Sequence, residues 1–252
     1  MMQRLVLNEM IWTEVEKELD NIKVAVVPVG SCEQHGPNTT FDTDTARAYE
    51  FSKLLGDRMG NKILIYPPIT YGLSYHHMDF PGTVTLRFET MLAVLTDVAL
   101  SITKHGIKKI LFINGHGGNR TALSAVVIKL KQEFDIDAYW SGMGTPLAKT
   151  VLVEEFGELP SIIGHACEVE TSQSMYLAPW IVRENRVLSE MQDSIYTKKL
   201  FVDGSAAWNW KKHASNNGAL GDARRATKEI GKKMTDKVLE YMEELVNKII
   251  KL

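Results

Sequence analysis

Four short apolar runs, 24–29, 62–66, 109–113 and 136–140, alternate with segments whose apolar residues recur at helical spacing. This alternation constrains the fold more than any other feature of the chain. The runs are rich in Val, Ile and Leu, which suit strands buried on both faces. Segments 43–59, 88–105 and 120–134 read as helices, with Ala46, Tyr49, Leu54 and Leu55 as core positions in the first and Gly106 ending the second. The pattern predicts an α/β fold: a mostly parallel sheet with helices on both faces. Ligands of such sheets collect at the carboxyl ends of the strands.

The second half is less regular. Segment 142–160 mixes chain breakers with polar and apolar residues. Segment 187–220, which holds Trp208 and Trp210, reads as an extended excursion of the kind that often binds. Asp222 is placed to cap a final helix over 223–250. No repeat or linker divides the chain, so residues 1–252 are read as one domain.

Charge excludes one class of partner. Twenty-nine Lys and Arg face thirty-one Asp and Glu, a net of -2, without the basic footprint of a nucleic-acid binder. No apolar run approaches the ~20 residues of a membrane helix, and the opening MMQRLVLNEMIW is too polar for a signal peptide. Two cysteines, Cys32 and Cys167, do not staple a chain of this length and read as small thiols. A cytoplasmic address is the expectation.

Glu33 and His35 follow the first strand, in PVGSCEQHGP; two apart, they point to one side of an extended segment. Asp44, in FDTD, falls near a helix start, where it is either a ligand or a simple cap. His116 follows the third strand, in NGHGGN, whose glycines permit close backbone approach; the alternative is a turn that cradles phosphate. Both strands deliver their residues to the same sheet edge. Two carboxylates and two imidazoles suit zinc, manganese or ferrous iron, and spare carboxylates allow a pair of ions. GHACEVETS has two readings. If it is helical throughout, His165 and Glu168 share a face; if the helix begins only near Glu170, His165 and Glu170 both face the site.

These segments resemble the creatininase (creatinine amidohydrolase) family. The resemblance is carried by PVGSCEQHGP with FDTDTARA, GLSYHHMDFPGTVTL, NGHGGN, GHACEVETS and GALGDARRAT, in the family's order over nearly the whole chain. It implies a three-layer α/β/α sandwich with a binuclear metal site. Glu33, His35 and His116 would be ligands, Asp44 would bridge the ions, and Glu170 would complete the set. His165 would be the acid/base, and Glu168 would support the ligands from behind. Two divalent ions per chain (zinc, manganese or iron), a small-molecule substrate and a homo-oligomer, commonly a hexamer, are also implied; nucleic acid and membrane are not.

Departures from the family bear on substrate. Creatininase itself carries a bulky residue and then a metal-binding glutamate after the motif histidine, where this chain has Gly117 and Gly118. It also carries a tryptophan where Ser161 and Ile162 stand, so creatinine is not the expected substrate. Cys167 replaces the usual glycine. Asn38, Thr39, Thr40, Ser74, Tyr75, His76, His77 and Gly117 would line the pocket, a polar set suited to a polyhydroxylated ring. Hydrolysis of a C–C bond in a cyclic polyol diketone, 3-dehydro-scyllo-inosose, is the leading expectation. The alternatives are a C–N amidohydrolase acting on a cyclic amide or formamide and, from another class, a non-catalytic phosphate binder.

Overall fold

The computed structural model describes residues 4–190 and 209–252. Its centre is a five-stranded sheet formed by β1 (Leu5–Val6), β2 (Val24–Val29), β3 (Ile63–Ile65), β4 (Lys109–Asn114) and β5 (Asp137–Gly142). The strand order is β1-β3-β2-β4-β5, and every pairing is parallel. The three central strands are buried on both faces, which explains why they read as unbroken apolar runs.

Alternate residues of each strand feed opposite cores. Ala25, Val27, Val29, Ile110 and Phe112 pack with α3 (Phe88–Lys104) and α4 (Arg120–Phe134). Val24, Val26, Leu111 and Ile113 pack on the other face with α2 (Thr43–Met59) and α8 (Lys228–Lys251). The result is the expected three-layer α/β/α arrangement. β2 leads through α2 to β3 on one side, whereas β3 leads through α3 to β4 on the other. The connections therefore diverge between β2 and β4, and a crevice opens at their carboxyl ends.

Three parts depart from the sequence reading. Segment 142–160 contains a helix, α5 (Thr145–Phe156), with its breakers Gly144 and Gly157 just outside and Pro146 in the first turn, where proline is tolerated. The short α1 (Trp12–Glu18) and strand β1 precede the first anticipated strand. The final helix starts later than 223: Asp222 caps a 3-10 turn over Ala223–Arg225, and the Thr227 hydroxyl accepts from Ile230 N at 3.1 Å to cap α8. Within 187–220 the described residues form β6 (Leu188–Ser189) and the short α7 (Trp210–His213). β6 pairs antiparallel with β7 (Gly221–Asp222). Trp208 lies outside the described residues.

Phe51, on α2, is fully buried against the sheet and α8. Truncating such a side chain removes its transfer free energy and leaves a cavity. Phe51→Ala should therefore lower stability by about 3–5 kcal/mol, read as a lower denaturant midpoint at unchanged slope. A midpoint within experimental error of the parent would contradict this packing.

Candidate metal centre

The crevice holds a cavity of about 570 Å³. Glu33 and His35 arrive on the loop after β2, Asp44 on the first turn of α2, and His116 on the turn two residues after the end of β4. His165 and Glu170 come from the segment that enters α6 (Glu168–Leu177). All six lie close together. His116 Nδ1 is 3.2 Å from both Glu33 Oε1 and Asp44 Oδ2. His35 Nε2 is 3.3 Å from Asp44 Oδ1 and 3.9 Å from Glu170 Oε2. His165 Nδ1 is 3.6 Å from Glu33 Oε1 and 4.0 Å from Glu170 Oε2.

Outward hydrogen bonds fix which ring nitrogen faces inward. His35 Nδ1 donates to Glu33 O at 3.2 Å, His116 Nε2 to Leu73 O at 3.0 Å, and His165 Nε2 to Gln34 O at 2.6 Å. Each ring spends one N–H on a backbone carbonyl and aims its other nitrogen at carboxylates. Metal-ligating histidines are oriented in this way. His35 Nε2 and Asp44 Oδ2 are buried and make no hydrogen bond despite their proximity to donors and acceptors. Buried polar atoms seldom remain so, and a cation beside each of them resolves the conflict. The residues present therefore fit divalent metal.

The electrostatics agree. Burial opposes the charged form of Glu33, yet His116, His165 and His77 outweigh it and hold the carboxyl well below the usual carboxylate range. Burial likewise opposes ionised Asp44, and His35 is the chief counterweight that brings it down to about 2. Burial disfavours charge on His35, but Asp44, Glu170 and Glu33 raise it to about 9. His116 is also raised well above the ordinary histidine value by Glu33 and Asp44 against its burial. Positive charge thus belongs between these groups. His165, by contrast, is lowered by burial and by His35.

The NGHGGN segment builds this geometry residue by residue. Asn114 clamps the backbone of His116, donating to its carbonyl at 2.6 Å and accepting from its N–H at 3.1 Å. A Cβ on Gly115 would lie 2.2 Å from Asp44 O, so only glycine lets β4 approach the start of α2 this closely. A Cβ on Gly118 would lie 2.3 Å from Leu73 O, the carbonyl that holds His116. Asn119 donates to Gly30 O at 2.9 Å and accepts from Leu73 N at 2.9 Å, binding two loops of the site together. Gly117 has nothing within 4 Å of where its Cβ would be and opens onto the cavity.

GHACEVETS follows the second anticipated reading in outcome, with the helix starting two residues before Glu170. Helix α6 already starts at Glu168, yet His165 and Glu170 share the cavity. Ala166 adopts a positive φ of 51°, which swings His165 back over the helix start. Ala166 N donates to Glu170 Oε2 at 2.6 Å, and Asn38 Nδ2 donates to Ala166 O at 2.8 Å. Glu168 turns away and accepts from Asp222 N at 2.9 Å. Cys167 sits in ordinary extended backbone and needs no glycine; burial pushes its thiol up to about 12. Both cysteines are free.

The expected substrate residues divide. His76, His77 and Gly117 line the cavity. Asn38 does not: it is fully buried, and its amide is consumed by Ala166 O and by Val187 N, which donates to Oδ1 at 2.9 Å. Ser74 is fully buried behind Glu33, donating to Oε2 at 2.6 Å and lying against Ser31. Tyr75 is 78% exposed and outside the cavity lining. Thr39 bonds to Thr43 and also lies outside the lining.

Sequence reasoning missed Arg47 and the place of Trp210. Arg47 pairs with Glu170 at 3.2 Å and donates to Gln173 Oε1 at 2.7 Å. Its position three residues after Asp44 on one helix is the signal that could have found it. The Trp210 ring lies 4.6 Å from that of His77 and 5.0 Å from that of His165, and it walls the cavity.

Comparison with known proteins places this arrangement. Residues 8–246 match the creatininase family (creatinine amidohydrolase), and the chain belongs to that family. It is a metal-dependent hydrolase. It is 30% identical to a mycofactocin precursor peptide peptidase of Mycobacterium ulcerans over 89% of this chain and 83% of that protein. It is 27% identical to the 3-dehydro-scyllo-inosose hydrolase of Thermotoga maritima over 96% and 82%. A mutant creatininase of known structure superposes with a TM-score of 0.82 at 20% identity, covering 98% of this chain and 99% of that one, and so shares its fold. Creatininase structures described as Mn and as Zn-Zn type share it too. No helix among the described residues is long and apolar enough to cross a membrane.

His35, raised to about 9, is cationic at about pH 7 and must lose its proton to bind an ion through Nε2. Metal uptake by apo protein should therefore release protons, seen as calorimetric heats that depend on the buffer's ionisation enthalpy. Apparent affinity should rise with pH until both His35 and His116 have lost their protons. Uptake without proton release would contradict the proposed donor arrangement.

Proposed function

We propose that this chain holds two divalent ions and hydrolyses the C–N bond of an amide in a small polar or peptide-terminal substrate. The observation that carries the metal centre is the convergence of three inward imidazole nitrogens on shared carboxylates. Asp44 would serve both ions, since its two oxygens face His35 and His116 separately. Glu33, His35, His116 and Glu170 would be the other ligands. Such ions acidify water and polarise a carbonyl.

The protein's own residues do the rest. His165 presents an inward Nδ1, and its lowered pKa keeps it neutral at about pH 7. It is suited to take a proton from water and return it to the leaving nitrogen. Arg47 holds Glu170 in place through their ion pair. The rings of Trp210, His76 and His77, tilted against one another, wall one side of the cavity and offer aromatic surface to a planar amide. Arg120, on the lining at the first turn of α4, supplies a cation for a substrate carboxylate.

The lining favours the amide. Asn38, Ser74 and Thr39, on which a polyol reading leans, have their polar atoms turned to protein partners. The Mycobacterium ulcerans relative is named a peptide peptidase. The diketone of the Thermotoga maritima relative's name is the second reading, favoured by an alignment over 96% of this chain.

Metal-reconstituted protein should turn over at least one of a short peptide, a formamide and a cyclic amide. Ring opening of the diketone with no amide turnover would overturn the C–N assignment. His165→Ala should retain both ions and lose ~10²–10⁴-fold in kcat, in keeping with a lost acid/base. Asp44→Ala should lose metal and activity while the circular dichroism spectrum persists; full metal occupancy in that variant would refute the bridging role.

A further inference from the structure

The donor atoms separate into two groups around Asp44. His35 and Glu170 lie toward Oδ1, and His116 and Glu33 toward Oδ2. The second group has a further neighbour. A ring nitrogen of His76, one of His116 and an oxygen of Glu33 all lie within 4.8 Å of one another. The His76 ring is stacked on that of His116 at 14° between planes and 5.8 Å between centroids. His76 sits on the 3-10 turn Tyr75–His77 and lines the cavity. That turn is tied to the site: the Ser74 hydroxyl donates to Glu33, and Leu73 O accepts from His116.

His77 is adjacent in sequence and also near Glu33, but its hydrogen bonds give it a different role. Gln34 Oε1 accepts from Gly36 N at 2.8 Å, and Gln34 Nε2 donates to Gly218 O at 3.2 Å, which fixes the orientation of the amide. The same Nε2 donates to His77 Nδ1 at 2.7 Å. The His77 proton is therefore on Nε2, on the side of Glu33 Oε1 3.7 Å away. A ring that presents a proton to a carboxylate does not at the same time present a lone pair to a cation.

We propose that His76 is a ligand of the ion held by Glu33 and His116, giving that position a second imidazole. This rests on the metal centre proposed above. The Glu33–His116 position then has two imidazole ligands, whereas at the His35–Glu170 position the second nearby imidazole is that of His165, to which the acid/base role is given above. Additional nitrogen donors favour zinc over manganese at the first position. Gly117, open beside His116, leaves that ion accessible from the cavity.

The test is metal binding rather than turnover. Apo protein is titrated with Co²⁺, followed by its visible absorption, and with Zn²⁺, followed by elemental analysis after dialysis. The parent should bind two ions. His76→Ala and the more conservative His76→Gln should keep one ion at parental affinity and bind the other at least ~10–100-fold more weakly, the loss seen when even a group that supports a ligand is removed. The Co²⁺ spectrum should change in both variants. Tyr75→Ala, on the same turn but exposed and outside the cavity, should behave as the parent. Two ions at parental affinity with an unchanged spectrum in both His76 variants would overturn the proposal and leave the metal centre standing. A parent that binds no ion, or an Asp44→Ala protein that binds two, would instead overturn the centre itself.

Discussion

Carboxylate oxygens and imidazole lone pairs crowded into one buried volume repel each other unless positive charge lies between them. The rest of this structure is arranged around that constraint. Glu33, Asp44, His35 and His116 are all nearly inaccessible to solvent, so water does not relieve the repulsion. Protons on His35 and His116 can supply the charge, and so can divalent cations. The outward N–H bonds of His35, His116 and His165 to backbone carbonyls decide the matter chemically, because they commit the inward nitrogens to whatever cation occupies the centre. In this sense the backbone carbonyls of Glu33, Leu73 and Gln34 belong to the site as much as the side chains do.

Holding such a cluster together takes a rigid frame, and the frame is the switch point of a parallel sheet. β2 and β4 are neighbours, so the loops that follow them emerge side by side. The start of α2 is then pressed against the end of β4, at a spacing that Gly115 alone permits. Asn114 and Asn119 convert the turn after β4 into a fixed platform by satisfying backbone groups of three segments. The strain at Ala166 is supported in the same way, by Asn38 on one side and Glu170 on the other. The site thus depends on polar side chains, Asn38 and Asn119 among them, that lie outside the cavity lining.

Much of this was legible in the sequence. The sheet strands read as β-branched apolar runs because both their faces are covered, and α2 and α4 match their expected bounds because their periodicity is local information. Glu33, His35, Asp44, His116, His165 and Glu170 were recognisable as ligand or acid/base types, and parallel topology alone predicts a shared edge for Glu33, His35 and His116. Other parts were not legible. Helix α5 was obscured by breakers that flank it rather than interrupt it. The entry to α6 depends on a left-handed alanine, which nothing in its side chain announces. Asn38, Ser74 and Tyr75 were assigned by polarity and neighbourhood in sequence, whereas their roles depend on the direction each side chain takes.

The amino-acid sequence by itself therefore determined the layer order of the fold and the chemical inventory of the site, because both follow from local periodicity and residue type. Only the tertiary structure decided which polar groups meet the cavity and which are spent on holding it open. It also decided that His165 and Glu170 face the same space and that Arg47 and Trp210 join them. Those outcomes depend on backbone direction at a few turns and on hydrogen bonds between segments far apart in the chain, and neither is encoded in any one stretch.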